Sequence, residues 1–247
     1  MILLADLVQH LDAQLAVAGI DDYCPNGLQV EGKAEIKKIV TGVTASQRLL
    51  ERALEQGADA ILVHHGYFWK NEPRTITGMR RQRLATLLHH DVSLLAYHLP
   101  LDLHQELGNN VALARVFGWQ PARESLGKLL LWADLPQQQS GEQLAKLLGQ
   151  RLQRAPLHIP ASRPIQRVAW CTGAAQSYIG DAVALGCDAF ISGEISESTV
   201  HEARESGIHY FAAGHHATER YGVQALGDYL AGQFEVETEF IDCDNPV

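Results

Sequence analysis

At 247 residues the chain is long enough for one large domain or two small ones, each with a substantial core. Its hydrophobic share of 46% and charged share of 20% are those of an ordinary globular protein, and no apolar run is long enough to span a bilayer. A net charge of −9, with no basic cluster larger than Arg80-Arg81-x-Arg83, argues against a nucleic-acid-binding face and for a protein that handles small molecules, and the lack of an export signal or CxxC pair makes the cytoplasm the expected compartment.

The chain opens on MILLADLVQHLDAQLAVAG, which has no basic leader and carries Asp6 and Asp12 inside its apolar pattern. It reads as an amphipathic first helix rather than a signal peptide. Residues 37–66 (KKIVTGVTASQRLLERALEQGADAILVHHG) and 166–195 (QRVAWCTGAAQSYIGDAVALGCDAFISGEI) then resemble each other. With one gap, each runs through an apolar strand, a Thr-Gly turn, a helix ending in Gly, an Asp-Ala pair and a second apolar strand. The same order continues downstream, with helices over 79–90 and 196–206 and the strands LLAYH and HYFAAGHH. Two successive matches in one order predict a duplicated βαβ unit with a mainly parallel sheet in each half.

Between the repeats, residues 127–135 read as a strand, and Ser140 with Gln143 reads as a capping box opening a leucine-faced helix. Pro156, Pro160 and Pro164 make the stretch before Arg167 a loop. A helix over 217–232 leads into the alternating strand FEVETEFID. The expected fold is α/β, with two similar domains covering 1–125 and 126–247.

The strand ends carry the chemistry. ADAILVHHG places His64 and His65 where an apolar strand stops. Successive strand side chains point to opposite faces. The pair therefore shares one site only if the chain turns at Gly66, and otherwise serves two ions. In YHLPLD, His98 and Asp102 follow the next strand, across a turn that Pro100 is expected to keep stiff and non-helical. Asp102 suits a divalent ion, and His98 either ligates or supports the ligands. In GHHATE, His215 with Glu219 has i, i+4 spacing and His216 with Glu219 has i, i+3, and spacing alone does not choose between them.

Gly193-Glu194 occupies the position in the second repeat that His64-His65 occupies in the first. The backbone at Thr172-Gly173 and Ser192-Gly193-Glu194 also offers turns where N–H groups can receive a phosphate. His10, His158, His201 and His209 have no partner at useful spacing. Cys24, Cys171, Cys187 and Cys243 form no CxxC pair, which argues for reduced thiols and against Cys-rich zinc or iron–sulfur sites. An imidazole and carboxylate set suits Zn²⁺, Mn²⁺, Fe²⁺, Co²⁺ or Ni²⁺, and two such ions would turn a bound water into a hydroxide nucleophile.

These blocks, with the early NGLQVEG, resemble the signatures of the NIF-three-like family, whose members are often labelled GTP cyclohydrolase I type-two. The blocks run in the family order from near residue 22 to residue 219. The resemblance implies two similar α/β domains, a dinuclear metal site in the cleft between them and a toroidal homohexamer. It implies His64, His65, Asp102, His215 and Glu219 as metal ligands, with Glu219 bridging and His98 as an auxiliary residue. It selects His215 over His216. Leu99-Pro100 stands where the family commonly has Thr-Asn, and LHQELGNN departs from the usual glycine-rich stretch. The activity expected is metal-dependent hydrolysis of a nucleotide-like or phosphorylated small molecule. The alternatives are a non-catalytic metal-binding regulator or adaptor, and GTP cyclohydrolase in the strict sense.

Overall fold

The computed structural model describes residues 1–247. The first elements are β1 (Ile2–Leu3), α1 (Leu4–Gln14), β2 (Gly27–Val30), β3 (Glu35–Ile36), β4 (Lys38–Thr44), α2 (Gln47–Glu55), β5 (Ala60–His65), α3 (Gly78–His90) and β6 (Ser93–Ala96). There follow α4 (Leu99–Leu103), α5 (Asn109–Phe117), β7 (Leu131–Gln139), α6 (Gly141–Leu152) and β8 (Leu157–Ile159). The chain ends with β9 (Ile165–Cys171), α7 (Ile179–Ala184), β10 (Ala189–Ser192), α8 (Glu197–Ser206), β11 (His209–Ala212), α9 (His215–Gln233) and β12 (Glu237–Phe240).

The fold is α/β, with two five-stranded sheets flanked by helices. One has the order β12-β4-β5-β6-β2 and the other β7-β9-β10-β11-β8. In each, the repeated segments supply three central parallel strands, β4-β5-β6 and β9-β10-β11, with an antiparallel edge strand, β2 or β8, beside the third. The other edges differ, β12 running parallel to β4 and β7 antiparallel to β9.

The aspartates of the repeat explain part of this likeness. Asp59 Oδ2 accepts from the backbone N–H groups of Lys37 (3.0 Å) and Lys38 (3.1 Å). Asp188 Oδ2 accepts from those of Gln166 (2.9 Å) and Arg167 (2.8 Å). Each carboxylate thereby ties the start of one strand to the start of the next.

By contacts, the chain divides into Met1–Asp102 with Gly222–Cys243, and Leu103–Tyr221 with Asp244–Val247. The division expected at residue 125 falls inside the second unit. Residues 103–125 belong there because Val111, Leu113, Phe117 and Trp119 pack in the second unit's core, and the pairing of β12 with β4 returns the C-terminal strand to the first unit. In that unit Val40, Ile61, Val63 and Leu94 pack with Leu49 and Leu50 of α2 and Leu84 and Leu87 of α3. In the second, alternation along the strands sends Val168, Trp170, Ile191 and Phe211 to one buried face, where Leu144, Leu148 and Leu152 of α6 cover them. Ala169, Phe190 and Tyr210 go to the opposite face, against Ile179 and Ala182 of α7 and Ala203 of α8.

Several local expectations change. Thr41-Gly42 lies within β4 rather than in a turn, whereas Thr172-Gly173 does follow β9. The proline-rich stretch holds the short strand β8, because Pro156 and Pro160 flank the residues that pair with β11. The Ser140–Gln143 capping box forms as expected. Pro100 sits in the first turn of α4, where a missing N–H costs nothing, so Asp102 is helical. No helix is long and apolar enough to cross a membrane.

Candidate metal centre

In the first unit, β5 delivers His64 and His65 with ring centroids 4.5 Å apart, so the two do share one neighbourhood. Gly66 follows directly, where a Cβ would collide with the Gln29 side chain and with Ala96 Cβ. His64 is fully buried. Its Nδ1 donates to the Tyr97 carbonyl at 3.0 Å, which leaves Nε2 as the basic nitrogen, and Nε2 lies 3.6 Å from Asp102 Oδ2. An imidazole nitrogen and a carboxylate oxygen are the kinds of atom that bind divalent ions. His65 Nδ1 lies 3.2 Å from Thr44 Oγ1.

His98 joins them. His64, His65 and His98 each offer a nitrogen within 4.8 Å of the others, a group that can hold a metal ion. His98 Nδ1 is bound to Asp22 Oδ1 at 2.8 Å, and its backbone N–H donates to Asn26 Oδ1 at 2.7 Å. Asp22 also accepts from Asn26 Nδ2 (2.8 Å) and from the Leu99 N–H (2.9 Å). Burial pushes the Asp22 carboxyl up, but the His98, Asn26 and Leu99 donors outweigh it and hold the group down at about 2. Asp22 was not among the residues singled out by sequence. It lies 76 positions from His98, and no local spacing links them.

Asp22, Cys24 and His98 form a second group with metal-ligand geometry. Burial, with the negative charges of Asp22 and Glu72, pushes the Cys24 thiol up to about 12.

In the second unit, α9 begins at His215, and one turn on, Glu219 Oε2 lies 3.0 Å from His215 Nε2. His215 Nδ1 lies 2.7 Å from Glu194 Oε1. Glu194, weighed by sequence only as the counterpart of the histidine pair, thus flanks His215 on its other nitrogen. Burial pushes the His215 imidazole down, yet Glu219 and Glu194 together raise it to about 9. The neighbouring His216 is buried, and its backbone N–H donates to the Val247 carbonyl at 3.0 Å.

Two glycines make room for this pair. A Cβ on Gly173, where φ is +69°, would stand 2.1 Å from Glu219 Oε1, and one on Gly193 would stand 2.7 Å from His215 Cα. The backbone donors at these turns are committed internally. Thr172 N–H donates to Asn110 Oδ1, Gly173 N–H to Thr218 Oγ1, and the Gly193 and Glu194 N–H groups both donate to the Gly173 carbonyl. Of the two readings that these turns allow, a phosphate site or ordinary turn geometry, the internal bonds favour the second at these donors. His158 and His209, read as unpartnered, are bonded to each other at 3.0 Å.

Comparison with known proteins adds the following. The family model described as Duf34/NIF3 (NGG1p interacting factor 3) matches residues 2–246. A Pseudomonas aeruginosa protein named GTP cyclohydrolase 1 type 2 homolog is 55% identical over 249 residues, covering 99% of both chains. The solved structure titled protein ybgI, of unknown function, is 50% identical with a TM-score of 0.96 and covers all of both chains. That of TTHA1606 from Thermus thermophilus is 34% identical with a TM-score of 0.88, again over both full chains.

Proposed function

The chain belongs to the Duf34/NIF3 family, and from that membership we propose that it is a hydrolase working with two divalent metal ions on a phosphorylated, nucleotide-like small molecule. The residues that would hold the ions are His64, His65, Asp102, His215 and Glu219, and the ions would be drawn from Zn, Mn, Fe, Co and Ni. One observation carries the reading. Each unit holds a histidine with one ring nitrogen fixed by an acceptor, Tyr97 O or Glu194, and the other nitrogen facing a carboxylate. Orienting bonds of this kind are what metal-ligating imidazoles use to fix their tautomer. When bound, such ions supply Lewis acidity and lower the pKa of the water they hold.

The chain's own residues complete the chemistry. Asp102 and Glu219 would bring negative charge that offsets the charge of divalent cations. His98, with Nδ1 fixed by Asp22 and its ring beside His64 and His65, holds or moves a proton near the substrate. We place the working protein in a toroidal homohexamer, whose mass light scattering measures directly.

The decisive measurement is metal content together with a hydrolase screen over phosphoesters, nucleotides and cyclic amides, on wild type and Glu219→Gln. Turnover that disappears in Glu219→Gln while fold and assembly persist supports the enzyme. Activity that survives removal of all metal sinks it. A non-catalytic metal-binding role predicts bound metal with no turnover on any substrate. The activity in the relatives' name predicts formate release from GTP.

A further inference from the structure

Beside the histidine cluster of the first unit, the loop over residues 66–77 fixes one side chain through its own bond and those of the backbone around it. That side chain is Trp69. Its indole N–H donates to the Gly66 carbonyl at 3.2 Å, and its backbone N–H donates to Glu72 Oε2 at 3.2 Å. The same carboxylate oxygen accepts from the Phe68 N–H at 2.9 Å, and the Glu72 N–H donates back to the Trp69 carbonyl at 2.9 Å. Arg80 closes the clamp, its guanidinium 4.8 Å from the Phe68 ring centre and 3.9 Å from Glu72. One residue earlier, Gln29 bonds both the N–H (2.7 Å) and the carbonyl (3.1 Å) of Tyr67.

Within this clamp Phe68 has φ +67°. A bulky residue in the left-handed region is an outlier, and such strain persists where the surroundings over-determine it, most often at ligand sites. What the strain produces is the position of Trp69. Its ring centre lies 5.0 Å from His98 at an interplanar angle of 81°, and 6.0 Å from His65. The residue is only partly buried. With the indole N–H already bonded, its remaining recognition capacity is the π face, which matches a cation or a planar ring, and the anionic ligand of a divalent-metal site leaves the ring.

Resting on the metal-site reading above, we propose that Trp69 forms the wall of a subsite that stacks on the planar ring of the substrate, while the histidine-held ions take its anionic end. The substrate class is then an aromatic or heteroaromatic phosphate or phosphonate-like anion rather than an aliphatic one.

The test uses two non-hydrolysable probes that differ only in the ring, phenylphosphonate and methylphosphonate, titrated calorimetrically into the metal-loaded full-length protein. Wild type is expected to bind phenylphosphonate about tenfold more tightly, and Trp69→Leu to cut that preference below about threefold with methylphosphonate affinity unchanged within about twofold. Metal content measured on the same samples stays at the wild-type level. Trp69→Phe, which keeps a ring, retains most of the preference. In ¹⁵N-labelled protein, the indole resonance missing from Trp69→Phe should shift with phenylphosphonate and not with methylphosphonate, which decides the matter even if Trp69→Leu does not fold. A wild type that holds metal but shows no ring preference, a preference that survives in Trp69→Leu, or an indole resonance that does not move overturns the proposal. A wild type that holds no metal overturns the metal-site reading instead, and the stacking subsite with it.

Discussion

Glu194 Oε1 stands 2.7 Å from His215 Nδ1, while Glu219 Oε2 stands 3.0 Å from Nε2 of the same ring. One imidazole thus lies between two carboxylates, and on the proposed reading Glu194 fixes the ring while Glu219 shares its ligand face. Replacing Glu194 with Ala should weaken metal binding by about 10- to 100-fold, the range typical of lost orienting partners. Glu194→Gln should lose less, because its amide oxygen still accepts the Nδ1 proton. Competition against a chromogenic chelator measures both, and wild-type affinity in Glu194→Ala would show that the ring needs no such support.

Gly173 and Gly186 make a matched pair of substitutions. Both have φ +69°, but a Cβ on Gly186 meets nothing within 4 Å, whereas one on Gly173 meets Glu219 Oε1 at 2.1 Å. Each Ala variant should lose about 1 kcal/mol of stability from backbone strain alone. Only Gly173→Ala should also lose metal affinity, since Glu219 has to move. Denaturation curves and metal titrations on the two variants separate backbone strain from displacement of the carboxylate.

The Asp22–His98 pair sets a pH dependence. A carboxyl whose folded pKa is lowered from 3.8 to about 2 contributes stability that is present above pH 4 and lost as pH falls through 2. The contribution is about 2 kcal/mol at neutral pH. Asp22→Asn should therefore be less stable than wild type by about that amount at pH 7, and the difference should close between pH 4 and pH 2. Urea denaturation at a series of pH values reads this directly, and a gap independent of pH would refute it.

Much of this was legible in advance, and the boundary of legibility has a physical cause. The glycine, aspartate and apolar spacing of the two repeats encodes contacts along one strand–helix–strand unit, so β4-β5-β6 and β9-β10-β11 follow from it. His215 and Glu219 are one helical turn apart, a distance that spacing does encode. Asp22 reaches His98, and Glu194 reaches His215, across 76 and 21 positions, through strand order rather than local period. An alternating strand likewise announces its two faces but not its neighbour, which is why FEVETEFID could not be assigned to β4. Pro100 misled for another reason. A proline forbids the interior of a helix and not its first turn.

The paired aspartates give a fourth expectation. Asp59 is held below the usual carboxylate range against burial by Lys33 and by the N–H groups of Lys37 and Lys38. Asp188 is held down against burial by the N–H groups of Arg167 and Gln166, with Arg163 beside it. Asp59→Ala and Asp188→Ala should each cost about 1–3 kcal/mol, because each leaves two strand-end donors without their acceptor. Thermal unfolding tests this, and a loss in one variant but not the other would mean that the two aspartates are alike in geometry only.

The pairing of β12 with β4 bears on how the chain is made. Residues 38–44 leave the ribosome long before residues 237–240 exist, so the outer edge of the first sheet stays uncovered while residues 103–221 of the second unit are synthesised. Translation order and sheet order are therefore out of step. An exposed parallel edge is a pairing template for other chains, so a ribosome stalled between β6 and β12 would hold a nascent chain whose first sheet lacks one border.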